Sequence, residues 1–237
     1  MGALKKIKSI FKKDEPRKAD KKPKTKKPKK EMQVSALGDR PDDQDLNVYW
    51  EPKMADLLEK WGVGNAWHEI EFLMVNCRGK VLDIACGTGK NMEQLAKFPQ
   101  LDLHGCDISD FLIEKAVSRG LRAENLKVAD ATRTPYADDE FNYSYSIGSI
   151  EHFTEEGIAG LIAEAHRITR HASFHMLPVS KSGTDEGWLK TYQSAFNNSV
   201  PWWLAKFQKS YATVHVLDSL WKDSISVGKW FVCVKEP

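Results

Sequence analysis

Residues 81–90 read Val-Leu-Asp-Ile-Ala-Cys-Gly-Thr-Gly-Lys, and this stretch decides the fold. A short apolar run closes on an acid, turns through small residues and opens into a helical pattern from Lys90 to Phe98. Gly87 and Gly89 allow a sharp turn and leave room for a ligand where a β-carbon would collide. A strand–turn–helix loop of this kind belongs at the carboxyl end of a parallel strand, where open α/β sheets bind their ligands. Two nucleotide fingerprints fail on it. The dinucleotide pattern GxGxxG counted from Gly87 needs glycine at 92, where Met92 stands. The phosphate loop GxxxxGK[ST] needs glycine at 84 and a hydroxyl at 91, where Ile84 and Asn91 stand. A ligand without a pyrophosphate fits better.

Downstream the rhythm continues as strands separated by helices. Strands are predicted at Val81–Ala85, Leu101–Cys106, Leu126–Val128, Phe141–Ile147 and Ala172–Leu177, with helices at Phe111–Arg119 and Glu155–Thr169, the latter capped by Thr154. That alternation implies right-handed βαβ units and a parallel sheet. Ala212–Leu217 and Val227–Val234 leave no room for a crossover helix, so they should close the sheet as an antiparallel hairpin. Upstream, Glu51–Trp61 and Asn65–Asn76 carry apolar residues at helical spacing, with Asn65 as a cap. The aromatic stretch Ser180–Tyr211 reads as an irregular lid or substrate-binding insertion, with Trp188, Tyr192, Phe196, Trp202 and Trp203 suited to acceptor recognition or to covering the sheet. Tyr49, Trp50 and Trp67 are candidates to close the pocket from the N-terminal side.

In this order the motifs resemble those of class I S-adenosylmethionine-dependent methyltransferases, from about residue 65 to 235. The resemblance implies a seven-stranded Rossmann-like α/β sheet, mostly parallel with a C-terminal antiparallel hairpin and helices on both faces. It implies S-adenosylmethionine as cofactor, held by Asp83, Ala85, Gly87 and Gly89 of the first loop. Asp107 and Ile108 follow the second strand, where an acid accepts hydrogen bonds from the ribose hydroxyls. Asp130 and Ala131 match the pair whose acid contacts the adenine amino group, and Ile147 closes the fourth strand. Ala85 departs from the family's usual GxGxG by replacing its first glycine, and Asn142 stands where aspartate often follows Phe141.

Glu151 and His152, just past the fourth strand, are the candidate catalytic pair, with His152 as general base toward an oxygen nucleophile. An acid–imidazole pair at this position resembles that of quinone-biosynthesis O-methyltransferases, where it can bind a divalent cation. The further acids of that subgroup are missing, since Gly148 and Ser149 precede the pair, and no metal site is expected. Read alone, His152 is equally an orienting or capping residue. His104 and His175 fall inside strands and read as packed, while His166 and His171 suit the negative end of a helix.

The formal charge of +2 over 237 residues hides a division. Residues 1–30 hold 14 Lys/Arg against 3 Asp/Glu, a formal +11, and the remainder carries −9. One domain with an appendage is therefore expected: a basic, largely disordered tail over 1–44 and a methyltransferase domain over 45–237. Within the tail, Ala3, Leu4, Ile7, Ile10 and Phe11 fall within about 120° of a helical wheel, a candidate amphipathic helix at 3–13 facing an anionic surface. Myristoylation is excluded, because Lys6 stands where that motif needs Ser or Thr. No run of about 18 apolar residues is present, and the four cysteines form no zinc pattern, which fits a reduced, cytoplasmic setting with peripheral membrane contact through residues 1–30.

The function expected is O-methylation of a small-molecule, glycan or lipid-linked acceptor near a membrane surface. The alternatives are an RNA or protein methyltransferase recruited by its tail, and a non-catalytic S-adenosylmethionine-binding protein. Nucleic acid is the weaker partner, because the body is acidic and Ile147-Gly148-Ser149-Ile150 stands where base N-methylating enzymes carry Asn-Pro-Pro-aromatic.

Overall fold

The computed structural model of the chain describes residues 46–236, together with the backbone of Ser35 and Ala36. The expectations for an amphipathic helix at 3–13 and for a largely disordered tail over 1–44 lie outside the described residues, apart from Ser35 and Ala36. Strand β1 (Ser35–Ala36) and the helices α1 (Pro52–Leu58) and α2 (Ala66–Met74) precede the sheet proper. The chain then runs β2 (Gly79–Ile84), α3 (Lys90–Leu95), β3 (Leu101–Asp107), α4 (Asp110–Ser118), β4 (Leu126–Val128) and β5 (Phe141–Ile147). It finishes with α5 (Glu155–Ile168), β6 (Thr169–Ser180), β7 (Trp188–Lys190), β8 (Ala195–Phe196), α6 (Val200–Phe207), β9 (Thr213–Lys222) and β10 (Ser226–Val234).

Seven strands form one sheet in the order β4-β3-β2-β5-β6-β10-β9. All neighbours are parallel as far as β6, and β10 then enters antiparallel between β6 and β9. The order reverses between β2 and β5, so a crevice opens at their carboxyl ends. The Rossmann-like sheet and its terminal hairpin are as expected.

The helices form where their ends are chemically finished. Thr154 caps α5 by accepting from the Gly157 amide at 3.1 Å, with Glu155 and Glu156 in the first turn and His166 and Arg167 in the last. Its buried face is Ile158, Leu161, Ile162, Ala165 and Ile168, at a spacing that lays it flat on the sheet. Ser109 does the same for α4, accepting from the Leu112 amide at 3.2 Å. The central β5 takes serines into the core, and cross-strand pairing satisfies them. Ser144 and Ser173 are in register with their hydroxyls 2.9 Å apart, and Ser146 meets His175 Nδ1 at 2.9 Å. His175 is thus a packed core residue, stacked on Phe207, and burial pushes it down to about 3.

Three expectations need correction. The helix predicted at 51–61 ends at Leu58, since Gly62 and Gly64 adopt φ of 77° and 82°. The strand predicted at 172–177 runs from Thr169 to Ser180, because β10 pairs along it from Ser226 to Val234. The stretch 180–211 is not irregular. It holds β7 and β8, which form a second sheet with β1, and α6, capped by Ser199 with Pro201 in its first turn.

Candidate cofactor and acceptor site

A cavity of about 510 Å³ lies over the carboxyl ends of β2, β3 and β5. Its floor is the loop between β2 and α3. Ala85, Gly87 and Gly89 all have positive φ, at 57°, 54° and 72°. Ala85 is strained there, which explains why a glycine suits the position. A β-carbon on Gly87 would come within 3.0 Å of Leu58 Cδ1, which also lines the cavity. One on Gly89 would lie 2.4 Å from Leu121 Cδ1 and 3.0 Å from Ala116 Cβ, so that glycine serves the seating of the loop on α4.

Seven of the expected cofactor residues line this cavity together: Ala85, Gly87, Asp107, Ile108, Asp130, Ala131 and Ile147. Asp107 accepts from the Gly87 amide at 2.8 Å through Oδ2 and from the Ser109 amide at 2.9 Å through Oδ1. Burial raises its carboxyl to about 6 against these backbone donors. Asp130 Oδ1 accepts from the amide and hydroxyl of Thr132, each at 2.8 Å, which fixes the turn and leaves Oδ2 available. Asp83 and Gly89 stand behind the wall. Asp83 is buried, its Oδ2 has no hydrogen-bond partner, and burial raises its carboxyl well above the usual range.

Glu151 and His152 are also behind the wall. His152 Nδ1 lies 2.8 Å from the Ser194 carbonyl, and Nε2 is 3.6 Å from Glu151 Oε1. Burial lowers the imidazole to about 4 and raises Glu151 to about 8, so both are mainly uncharged near neutrality. Among the described residues no three metal-ligating side chains cluster.

The remaining wall includes residues that sequence reasoning left aside. Trp61 packs its ring on Gly148, where a β-carbon would sit 2.7 Å from the indole. Ser149, Phe153 and Gln193 also line it, and Gln193 Nε2 donates to the Tyr49 hydroxyl at 3.1 Å. Of the three aromatics expected to close the pocket, Tyr49 and Trp67 line it. Trp50 does not line it, and its indole donates to Asp110 at 2.7 Å.

The polar set fits S-adenosylmethionine: an acceptor carboxylate at the end of β3, a second after β4, a glycine floor and, beneath it, a buried acid with one carboxylate oxygen unpartnered. Fold and site are those of an S-adenosylmethionine-dependent methyltransferase domain over the residues that carry the glycine loop, Asp107 and Asp130, and S-adenosylmethionine is the cofactor such a domain uses. Residues 81–172 match the family model described as a methyltransferase domain. The chain is 31% identical over 118 residues to the O-methyltransferase rstn1 of Aspergillus nomiae, covering 47% of this chain and 52% of that protein. It is 36% identical over 112 residues to the "Probable tRNA methyltransferase 9B" of Homo sapiens, covering 46% of this chain and 22% of that protein. The chain thus spans about half or less of the length of these curated relatives. A solved phosphoethanolamine N-methyltransferase 2 of Haemonchus contortus, in complex with phosphomonomethylethanolamine and S-adenosylhomocysteine, shares the fold. It aligns with a TM-score of 0.58 at 16% identity, over 72% of this chain and 52% of that one.

Proposed function

We propose that the domain methylates an oxygen of a small-molecule, glycan or lipid-linked acceptor. The observation that carries this reading is the aromatic lining of the cavity. Tyr49, Trp61, Trp67 and Phe153 line the cavity together with the hydrogen-bonding groups of Ser149 and Gln193, and Lys90, Arg133 and Glu156 also reach its wall. Gln193 has its amide nitrogen engaged by Tyr49, so its Oε1 is oriented to accept from an acceptor hydroxyl.

When bound, S-adenosylmethionine would supply an electrophilic methyl to the acceptor oxygen and leave as the neutral thioether, and the proton of the acceptor hydroxyl would pass to water. The methyl is already activated in the sulfonium, so the protein contributes proximity, alignment and exclusion of water. For Glu151 and His152 we propose positioning rather than proton transfer. The imidazole holds Ser194, and with it the neighbouring Gln193, against the wall.

Recruitment to an anionic membrane surface on the cytoplasmic side is part of the proposal, supported by the basic and amphipathic sequence of residues 1–13. Among the described residues no helix is long and apolar enough to cross a membrane. RNA methylation is the second reading, favoured by the tRNA methyltransferase relative and opposed by the acidic body.

Incubating the full chain with methyl-labelled S-adenosylmethionine and cell extract separated into small-molecule, lipid, glycan, RNA and protein fractions tests these readings. Label in small-molecule, glycan or lipid fractions supports the proposal, and label confined to RNA or protein overturns it. Tight cofactor binding with no label in any fraction would make the chain a non-catalytic binder.

A further inference from the structure

Segment 46–61 lies along one side of the cavity, contributing Leu46, Tyr49, Leu58 and Trp61 to its wall. One polar cluster outside the cavity ties its far end to the cofactor loop. Thr88 Oγ1 donates to Glu59 Oε1 at 2.7 Å. Arg119, the residue that ends α4, donates through Nε to the Thr88 carbonyl at 2.9 Å and through Nη1 to Glu93 Oε2 at 3.0 Å, and its Nη2 pairs with Glu59. One guanidinium therefore joins α3, α4, the glycine loop and the end of α1. Thr88 is 3% exposed and lines the cavity between the two glycines.

We infer that Arg119 and Glu59 are positioning residues for the cofactor, and that they act as one unit through Thr88. The loop needs such support. Its residues 85, 87 and 89 are all left-handed, a conformation that the backbone does not favour for Ala85. Arg119 fixes the Thr88 carbonyl, and Glu59 fixes its hydroxyl, so the floor holds its shape before the ligand arrives. Glu59 also sets Leu58, whose Cδ1 lies against Gly87. Lysine cannot replace Arg119 fully, because three partners in different directions need the planar fork.

The proposal rests on the S-adenosylmethionine reading, and calorimetry on the full chain separates the two. Absence of heat with S-adenosylmethionine for the unaltered chain would overturn that reading itself. With binding present, Arg119→Gln and Glu59→Ala are each expected to raise Kd for S-adenosylmethionine and S-adenosylhomocysteine about tenfold. The double variant should lose no more than either single one, because both break the same unit. Arg119→Lys should fall between, and Glu59→Gln, which keeps an acceptor oxygen, should stay within about threefold of the unaltered chain.

Should Arg119→Gln fail to fold, Thr88→Val against Thr88→Ser carries the test, with only Val losing affinity. Unchanged Kd in Arg119→Gln and Glu59→Ala would overturn the proposal, as would losses that add in the double variant. Equal losses in Thr88→Val and Thr88→Ser would do the same.

Discussion

Asp107 carries the most chemistry of any residue in the site, and its carboxyl, raised to about 6, sets a pH dependence. In the ribose-binding role proposed for Asp107, the ionised form is the better acceptor. Affinity for S-adenosylmethionine should therefore be flat above pH 7 and weaken about tenfold per unit well below 6. Asp107→Ala should lose at least about 2 kcal/mol of binding and abolish that slope, which calorimetry between pH 5 and 8 reads directly. At Ala85 the left-handed backbone costs about 1–2 kcal/mol, and glycine removes it at an entropic cost of about 0.5–1 kcal/mol. Ala85→Gly should thus raise the melting temperature by a few degrees or leave it level, and a drop would contradict the strain argument.

Glu151, raised from 4.5 to about 8, stabilises the fold fully below pH 4.5, and this contribution is lost as pH rises toward 8. His152, lowered from 6.5 to about 4, acts the other way, its contribution falling away as pH drops from 6.5 to 4. Between pH 6.5 and 8 only the Glu151 slope operates within this pair, so Glu151→Gln should melt higher than the unaltered chain at pH 8 and lose that slope. At this scale the glycine loop, Asp107 and Asp130 were legible because each sits at a strand end where a ligand crevice must lie. The packed position of Glu151 and His152 was not, since spacing along the chain does not reveal which side of a short turn faces the cavity.

Among elements, α2 and the terminal hairpin are joined by a single carboxylate. Glu69 accepts from Ser219 Oγ at 2.6 Å, the Leu220 amide at 2.6 Å and Trp230 Nε1 at 2.7 Å. Replacing it by alanine strands the nearly buried indole N–H of Trp230, so Glu69→Ala should cost about 2–4 kcal/mol and Glu69→Gln clearly less, measurable by urea unfolding. The alternating strands and helices from β2 to β6 were readable because period and caps agree. Helix α6 had its signal in plain sight, a Ser-Val-Pro start at 199–201, but the density of aromatics drew attention to recognition instead. β7 and β8 are only 3 and 2 residues long, and no local pattern announces pairing with a strand some 150 residues away.

For the whole molecule, charge separates along the chain, with +11 on residues 1–30 and −9 on the rest. Full-length protein should sediment with vesicles containing anionic lipid and release in high salt, while a variant lacking residues 1–30 should stay in solution. Equal sedimentation of both would dismiss recruitment by the tail. The reach of sequence reading also ends at this scale. Composition exposes the division of charge, but the meeting of segment 46–61 with residues near 88, 110 and 192 is a product of tertiary packing alone.

That segment has a consequence in time. Thr88 and Arg119 fasten it at Glu59, the hydroxyl of Ser109 and the carboxylate of Asp110 at Tyr49 and Trp50, and Tyr192 at Glu51. Polar fastenings exchange readily with water, so the segment can part from its neighbours without unfolding the core. Because the segment lines the cavity, its fastenings are expected to slow the release of spent cofactor. Faster release of S-adenosylhomocysteine from a variant with one fastening cut, seen by stopped-flow tryptophan fluorescence, would be its signature.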